Sequence, residues 1–273
     1  MSARFADVQF TETLMLAMEE SGVALQVHHY ALALETFANG RDLDGCVKVL
    51  EALINHGMDC NLQVARPVVE CCANLGSDGL VLLWEIFYDR YKMQRGSMLR
   101  QLLFNVFLMA CGKLKDMARL ERSVGSAMRS TTCPKWNRDT FFALMWAYAY
   151  NERSDLVIKV YEDFLATGIK TDWRIVDYAV AACVQTGDLD RAYFYVTQLI
   201  SNGGMLHAYT FRSLYRASQG NSQWMDQFDQ MIEKQKRRRP LYFFHRNHSK
   251  DRTGSTREEA PDGSLHDNNR TNT

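Results

Sequence analysis

The sequence predicts an all-α fold: a right-handed α-solenoid of stacked helical hairpins with repeats of about 35 residues. Two observations predict it. Glycines suited to ending a helix recur 35 residues apart, as Gly22 does with Gly57 and Gly168 with Gly203. Only four prolines occur in 273 residues. Because a proline inside a helix costs about 3 kcal/mol, so few of them favours a helical body.

Helical periodicity recurs inside each unit. Apolar residues from Leu156 to Leu165 recur at i, i+1, i+4, i+5, i+8 and i+9, which predicts a helix with one broad apolar face. Short polar turns such as Asn151–Ser154 and Thr186–Asp188 separate the two helices of a unit, and their residue types favour a helix stop followed by an N-cap. One hairpin cannot bury its apolar faces alone, so we expect neighbouring hairpins to stack.

The predicted domain organisation is one repeat array followed by a tail. The array spans residues 7–244, and the tail, 245–273, is expected to be disordered because it contains almost no apolar residues. The array divides into a half unit (7–26), five complete units (27–61, 62–100, 101–137, 138–172 and 173–207) and a pair of closing helices (208–236).

Charge is distributed unevenly, although the formal net charge is +0. Residues 1–233 contain 22 Lys and Arg against 27 Asp and Glu, a net of −5, whereas residues 234–250 contain seven basic residues and no acid. The basic run indicates a phosphate-gripping arm, a nuclear address or an anchor in ribosomal RNA; a basic cap on the last helix is the alternative. We call its core the basic arm: Lys234, Lys236, Arg237, Arg238 and Arg239.

Several classes of function find no support in the sequence. The longest apolar runs are too short to span a bilayer, so we expect no membrane segment. Seven cysteines without a C-x-x-C pair are expected to be packed thiols in a reducing compartment rather than a disulfide or zinc framework. No phosphate-binding, serine-hydrolase or metalloprotease motif occurs. We therefore expect no enzyme, no cofactor, no metal and no small-molecule substrate.

The repeat resembles the pentatricopeptide repeat (PPR) family. The matching features are the first-helix opening Phe104–Phe107, the turn Gly187–Ala192, and Gly168–Asp172, which reads G-I-x-x-D. The rival, a tetratricopeptide array, has a period of about 34 residues and a W-x-x-L-G-x-x-Y signature that this sequence lacks. The resemblance covers residues 20–220, and it is strong over 138–207, fair over 27–61 and 101–137, and weak over 62–100.

This resemblance implies binding of single-stranded RNA, with one base per unit. In the family, base choice depends on a residue early in the first helix and on the last residue of the same unit. Short polar side chains suit this task because they can donate to and accept from a base edge. Transferred to this chain, the pairs are Ala31 with Asn61, Arg66 with Arg100, Asn105 with Asn137, Phe142 with Asp172, and Asp177 with His207.

Among these pairs, only Asn105 with Asn137 resembles a readable one. Ala31 has no hydrogen-bonding side chain, and Phe142 can at most stack on a base. Other interpretations stay open: Asn105 as a polar residue on an exposed face, and Asp172 as an N-cap without a ligand. The candidate RNA-binding residues are Asn61, Asn105, Asn137, Asp172, Asp177 and His207.

Two functions remain as hypotheses. The first is an RNA-binding PPR protein that acts without catalysis in mitochondrial RNA processing, stability or translation. Its partners would be single-stranded RNA, as an organellar transcript or rRNA, and proteins of a ribonucleoprotein complex. The second is a protein-binding helical scaffold, such as a PPR subunit of a mitochondrial ribosome or RNA-processing complex, which the acidic body favours.

The expected mitochondrial localisation depends on the family resemblance alone. Neither a secretory signal nor an Arg-rich transit peptide is visible at the N-terminus. Either there is no cleavable address, or the true beginning of the chain is missing.

Overall fold

A computed structural model describes residues 7–90, 97–129, 136–204 and 207–238, without the side chains of Glu19, Arg129 and 234–238. These ranges contain thirteen α-helices and no strand, so the predicted all-α fold is confirmed. The helices are α1 (Val8–Glu20), α2 (Val27–Asn39), α3 (Leu43–Asn55), α4 (Arg66–Leu75), α5 (Ser77–Glu85), α6 (Met98–Lys113), α7 (Met117–Arg129), α8 (Arg138–Tyr150), α9 (Ser154–Ala166), α10 (Trp173–Thr186), α11 (Leu189–Ser201), α12 (Ala208–Ser218) and α13 (Ser222–Arg238).

The helices form two rows of a hairpin stack. One row contains the first helix of each pair, and each of these helices packs against the first helix of the next pair. They are α2, α4, α6, α8, α10 and α12. The second helices α3, α5, α7, α9 and α11 each pack against the first helix of their own pair. This arrangement is the predicted solenoid, in which each hairpin buries its apolar faces against its neighbours.

Glycines end the second helices in the predicted conformation. Gly57, Gly168 and Gly203 have φ of +71°, +70° and +79°, in the left-handed region where a side chain would be strained. After α11, the backbone N–H groups of Gly203 and Gly204 donate to Ile200 and Leu199, at 3.0 Å and 2.9 Å. These bonds satisfy carbonyl groups at the helix end, so the 35-residue spacing reflects a repeated helix stop.

The unit predicted at 62–100 departs from the regular hairpin. A single residue, Gly76, with φ of +67°, connects α4 to α5, and a π-helical turn, Ile86–Arg90, follows α5. The connection is tight because a Cβ added at Gly79 would lie 2.7 Å from the Cys72 carbonyl oxygen. In addition, α6 begins at Met98, inside the residues predicted for this unit. These departures account for its weak match to the repeat pattern.

The first helices α6 and α8, at the centre of the array, approach each other closely. Every residue from 102 to 112 of α6 is buried. A Cβ added at Gly112 would lie 2.5 Å from the Cβ of Ala147 in α8. The amide of Asn151 also donates to the Gly112 carbonyl oxygen at 2.8 Å. Because α6 and α8 approach so closely, little of the α6 surface reaches solvent.

Two compact units divide the chain, residues 1–228 and residues 229–273. The second unit is described only to the end of α13. The predicted disordered tail at 245–273 lies outside the described residues, and the predicted unit boundaries stay predictions. Six cysteines in the described part are free and buried, as expected for packed thiols. None of the described helices is long and apolar enough to cross a membrane.

Candidate nucleic-acid interface

The first helices α8 and α10 expose a surface of aromatic rings and guanidinium groups. Arg138, Phe142, Trp146 and Tyr150 lie four residues apart on α8, so they follow one face of that helix. Trp146 stacks on Tyr150 with ring centroids 5.1 Å apart and planes 18° apart. We extend this surface to Arg174 and Tyr178 of α10, which contact Phe142, and to Arg66 of α4, whose charge acts on Tyr178. We call it the first-helix face: Arg66, Arg138, Phe142, Trp146, Tyr150, Arg174 and Tyr178.

Contacts between helices hold the first-helix face together. Phe142 meets Tyr178 edge to face at 5.6 Å, and the Arg174 guanidinium lies 5.5 Å from the Phe142 ring centroid. Burial raises the pKa of the Tyr178 hydroxyl, whereas the positive charge of Arg66 acts to lower this pKa. Arg66 of α4 is therefore close enough to interact electrostatically with Tyr178 of α10. Rings and guanidinium groups arranged together can stack on bases and neutralise phosphates.

The pair Asn105 and Asn137 is joined by hydrogen bonds. Gln101 donates from Nε2 to Asn105 Oδ1 at 3.3 Å and to Thr140 Oγ1 at 2.8 Å. Thr140 in turn donates from Oγ1 to Asn137 Oδ1 at 2.9 Å. Asn105 is only 2 % exposed, so it is not on an exposed helix face, as one interpretation held. Its contact with RNA stays a prediction that requires the side chain to become uncovered.

Asn137 has two separate functional groups in this position. Its Oδ1 accepts from the backbone N–H of Thr140 at 2.9 Å and thereby caps α8. The residue is exposed. Because capping uses the oxygen, the Nδ2 group is the part of the side chain suited to donating to a ligand.

The pair Phe142 and Asp172 is joined through Arg174. Asp172 caps α10 by accepting from the backbone N–H of Arg174 and Ile175, at 3.0 Å and 3.3 Å. Its Oδ2 pairs with the Arg174 guanidinium at 2.9 Å and with Arg138 at 3.5 Å. Asp172 is thus an N-cap, and its contact with RNA stays a prediction. Two guanidinium groups surround this carboxylate, so the local charge is positive.

The pair Asp177 and His207 is also in contact. Asp177 Oδ1 accepts from the backbone N–H of His207 at 3.2 Å. Burial raises the pKa of the Asp177 carboxyl, and hydrogen bonds from Thr210 and His207 partly oppose this. His207 caps α12, accepting at Nδ1 from the backbone N–H of Tyr209 at 3.4 Å. Its ring stacks on Trp173 with centroids 5.8 Å apart and planes 18° apart.

The remaining two pairs offer less to a ligand. Asn61 is exposed, and its Oδ1 accepts from the backbone N–H of Gln63 and Val64, at 2.9 Å and 3.2 Å. Arg100 is 1 % exposed, and its guanidinium lies 4.9 Å from the ring centroid of Phe87. Arg100 is therefore a core residue, and only its predicted partner Arg66 reaches the surface.

The basic arm lies at the end of α13. Lys234, Lys236, Arg237 and Arg238 are within the helix, but their side chains lie outside the described residues, as does Arg239 altogether. Its function stays a prediction. The helical backbone through Arg238 places these four residues at the C-terminal end of α13, and basic residues are favoured near the C-terminus of a helix.

Three residues near the candidate pairs were missed by reasoning from the sequence. Gln101 links two units, Arg174 links Phe142 to Asp172, and Trp173 stacks on His207. The available signal for Gln101 was its spacing of four residues from Asn105. For Arg174 and Trp173 it was their position directly after the last residue of a unit.

Solved structures of PPR proteins resemble the fold only distantly. Maize PPR10 matches with a TM-score of 0.49 and 19 % identity, covering 85 % of this chain and 31 % of that one, so the chain spans about a third of PPR10. The PPR domain of Arabidopsis thaliana protein-only RNase P 1, solved with tRNA, matches with a TM-score of 0.46 and 16 % identity, covering 64 % of this chain and 88 % of that one. PPR10 in complex with an 18-nt psaJ RNA element matches with a TM-score of 0.41 and 14 % identity, covering 85 % and 39 % of the two chains.

Sequence comparison finds a match to a family model in the N-terminal part of the chain. No curated protein matches the sequence. Residues 1–122 match the family model described as pentatricopeptide repeat-containing protein. This match covers units in which the resemblance was fair or weak, and the motifs at 168–192 lie beyond it. The resemblance predicted from the sequence is confirmed over these residues, which are similar to pentatricopeptide repeat-containing proteins.

Proposed function

We propose that this chain binds single-stranded RNA through the first-helix face. The observation that carries the proposal is the alternation of rings and guanidinium groups on α8 and α10, seen in the contact of Arg174 with Phe142 and of Phe142 with Tyr178. Base stacking on aromatic side chains is worth about 1–3 kcal/mol per base and needs unpaired bases. The family match supports the same class of ligand.

The proposal includes the cellular process in which the RNA is bound. The protein acts without catalysis in organellar RNA processing, stability or translation, in mitochondria, on a transcript or rRNA. Protein partners in a ribonucleoprotein complex accompany the RNA. Binding can serve each of these processes by covering an RNA segment or by recruiting other factors to it.

A protein-binding scaffold is the second candidate, and one groove favours it. Between α5 and α7 lies a groove of about 450 Å³, lined in part by Val81, Trp84 and Phe107. Val81 is 44 % exposed, which leaves apolar surface available to a partner. The net charge of −5 over residues 1–233 also suits a protein partner better than RNA.

Two triple variants of equal charge test the proposed function. The first, Arg66→Gln/Arg138→Gln/Arg174→Gln, removes the guanidinium groups of the first-helix face. Its matched control, Lys48→Gln/Arg153→Gln/Lys159→Gln, removes three exposed positive charges associated with the second helices α3 and α9. Fluorescence anisotropy measures the binding of each protein to a single-stranded RNA pool and to duplex RNA across a salt series.

The expected result separates the two triple variants. The wild type and the control bind single-stranded RNA in preference to duplex RNA. The first-helix variant binds it more weakly, with a salt slope reduced by about 2, because each lost phosphate contact removes roughly 0.7 from the slope. Equal losses in both variants would show unspecific attraction. Absence of RNA binding by the wild type, together with a partner protein lost on Trp84→Ser, would favour the scaffold.

A further inference from the structure

A second pocket lies at the start of α10, next to Arg174 of the first-helix face. It has a volume of about 260 Å³ and is formed by the turn before α10 and the end of α11. Pockets for drug-sized ligands typically measure about 300–1,000 Å³, so this one suits a single flat ring system. The residues that matter to its chemistry are Lys170, Asp172, Trp173, Val176, Gln198 and Asn202.

One wall of the pocket is an aromatic ring held in place. Trp173 is 47 % exposed, although a tryptophan normally buries its large apolar surface. It stacks on His207 at 5.8 Å, and His207 is itself fixed because its backbone N–H donates to Asp177 at 3.2 Å. Trp173 is thus supported by one stacking partner and also lines a pocket that can receive a second ring.

Two other lining residues of the pocket offer hydrogen bonds. Gln198 and Asn202 lie four residues apart at the end of α11, so their amides follow the same face of the helix. Among the described residues, neither amide has a hydrogen-bond partner within 3.5 Å. Each amide provides two donor hydrogens and one acceptor oxygen. Such groups can pair with the mixed donors and acceptors on the edge of a nucleobase.

The charge around the pocket favours an anionic chain. Lys170 is exposed and lines the pocket, and the one lining carboxylate, Asp172, is paired with both Arg138 and Arg174. Three positive groups therefore surround one negative group. A phosphate next to the bound ring would meet a positive environment.

We propose that this pocket binds one nucleobase turned out of single-stranded RNA, stacked on Trp173 and paired with Gln198 and Asn202. This rests on the proposed function, because the RNA on the first-helix face would supply the base. An aliphatic or phenyl side chain of a protein fits the chemistry less well. It would desolvate both amides without offering them a hydrogen bond.

Three variants of the full chain test the pocket. Trp173→Leu removes the ring, Trp173→Phe keeps a ring, and Gln198→Ala/Asn202→Ala removes the amides. Tyr209→Leu is the matched control, because Tyr209 is an aromatic residue that is 72 % exposed and does not line the pocket. Anisotropy with single-stranded RNA gives affinity, and crosslinking of 4-thiouridine RNA followed by mass spectrometry identifies the contacted residue. Circular dichroism melting confirms that each variant is folded.

We expect Trp173→Leu to weaken RNA binding by about 5- to 150-fold, the range for loss of one stacked base. Trp173→Phe and Tyr209→Leu should stay near wild type, and the amide variant should alter which 4-thiouridine position of the RNA is crosslinked at Trp173. Unchanged affinity in folded Trp173→Leu, with no crosslink at the pocket, overturns the nucleobase site and leaves the proposed function standing. A wild type that binds no RNA overturns both.

Competition with free nucleotides shows whether the bound base belongs to an RNA strand or to a mononucleotide. AMP, GMP, CMP and UMP are added as competitors at concentrations equal to that of an RNA oligonucleotide. We expect the oligonucleotide to compete far better, since its phosphates also contact the first-helix face. Equal competition by a mononucleotide would show a nucleotide-binding pocket and overturn its assignment to RNA. Displacement by an aromatic peptide alone would show a protein-docking pocket instead.

Discussion

The side-chain amide of Gln101 in α6 donates a hydrogen bond to the Thr140 hydroxyl in α8, with 2.8 Å between Nε2 and Oγ1. The same nitrogen lies 3.3 Å from Asn105 Oδ1, and Thr140 donates to Asn137. The bond from Gln101 to Thr140 therefore joins the units 101–137 and 138–172, and it belongs to a network that includes both residues that the family resemblance assigns to RNA reading. Substitutions here can therefore change both the stability of the fold and the contact with RNA. A substitution that keeps the N-cap of α8 can change the RNA contact alone.

Replacement of Gln101 by Ala should destabilise the fold. It leaves the buried acceptor of Asn105 without its donor and leaves the Thr140 hydroxyl with only the backbone N–H of Asn137, at 3.4 Å. An unsatisfied buried polar group costs about 1–3 kcal/mol. Urea unfolding measures the free energy of unfolding. Gln223→Ala is the control, since Gln223 is exposed and surface changes usually stay within about 0.5 kcal/mol. Equal stability of Gln101→Ala and wild type would contradict the linkage.

Two substitutions of Asn137 should separate capping from RNA contact. Asn137→Ala removes the N-cap of α8 and should lower the free energy of unfolding by about 0.5–2 kcal/mol. Asn137→Asp keeps the capping oxygen and should preserve stability, but it replaces the Nδ2 donor by an acceptor. Sequencing of crosslinked RNA should then show a changed base preference at this unit. An unchanged preference would count against Asn137 as an RNA contact.

The hairpin stack could be predicted because its signals are local in sequence. Gly168 and Gly203 end helices through their own backbone conformation, and Asp172 caps α10 through bonds to residues two and three positions on. These depend on neighbours within one turn, so residue type and spacing are enough to predict them.

The burial and exposure of side chains in the candidate site could not be predicted from local sequence. Asn105 is buried because α6 lies against α8, and this closeness depends on Gly112 facing Ala147, one repeat further along the chain. The exposed ring of Trp173 depends on a stacking partner from the next unit, His207. Both are tertiary contacts between units, which helical periodicity within a unit does not report.

Gly112→Ala should weaken the contact between α6 and α8. The added Cβ would lie 2.5 Å from Ala147 Cβ and 2.6 Å from Ala147 Cα, so the two helices must separate. Overpacking of this kind costs about 1–3 kcal/mol, against a gain in helix propensity of up to about 1 kcal/mol. Urea unfolding should show a net loss of stability. A variant more stable than wild type would mean that the helices do not approach this closely.

Asp177→Asn should stabilise the protein at neutral pH. Burial raises the pKa of the folded-state carboxyl above 3.8, so the fold favours the protonated form. The contribution of Asp177 is therefore fully present below its unfolded pKa and is lost as the pH rises through its folded pKa. Asn is neutral and keeps an oxygen that accepts from His207.

The stabilisation by Asp177→Asn should be present at pH 7 and disappear as the pH falls below about 4. Urea unfolding at several pH values measures this difference. Asp163→Asn, at an exposed position on α9, is the control and should show no such trend. A gain at Asp177 that stays constant with pH would contradict the burial argument.

A residue-level map of crosslinks between the full chain and single-stranded RNA shows which helices contact the RNA. We expect crosslinks on the first-helix face, at Phe142, Trp146 or Tyr178, that decrease in the triple Arg66, Arg138 and Arg174 variant. Crosslinks confined to second helices such as α3, α9 and α11, or to residues 234–250 alone, would contradict RNA binding by this face.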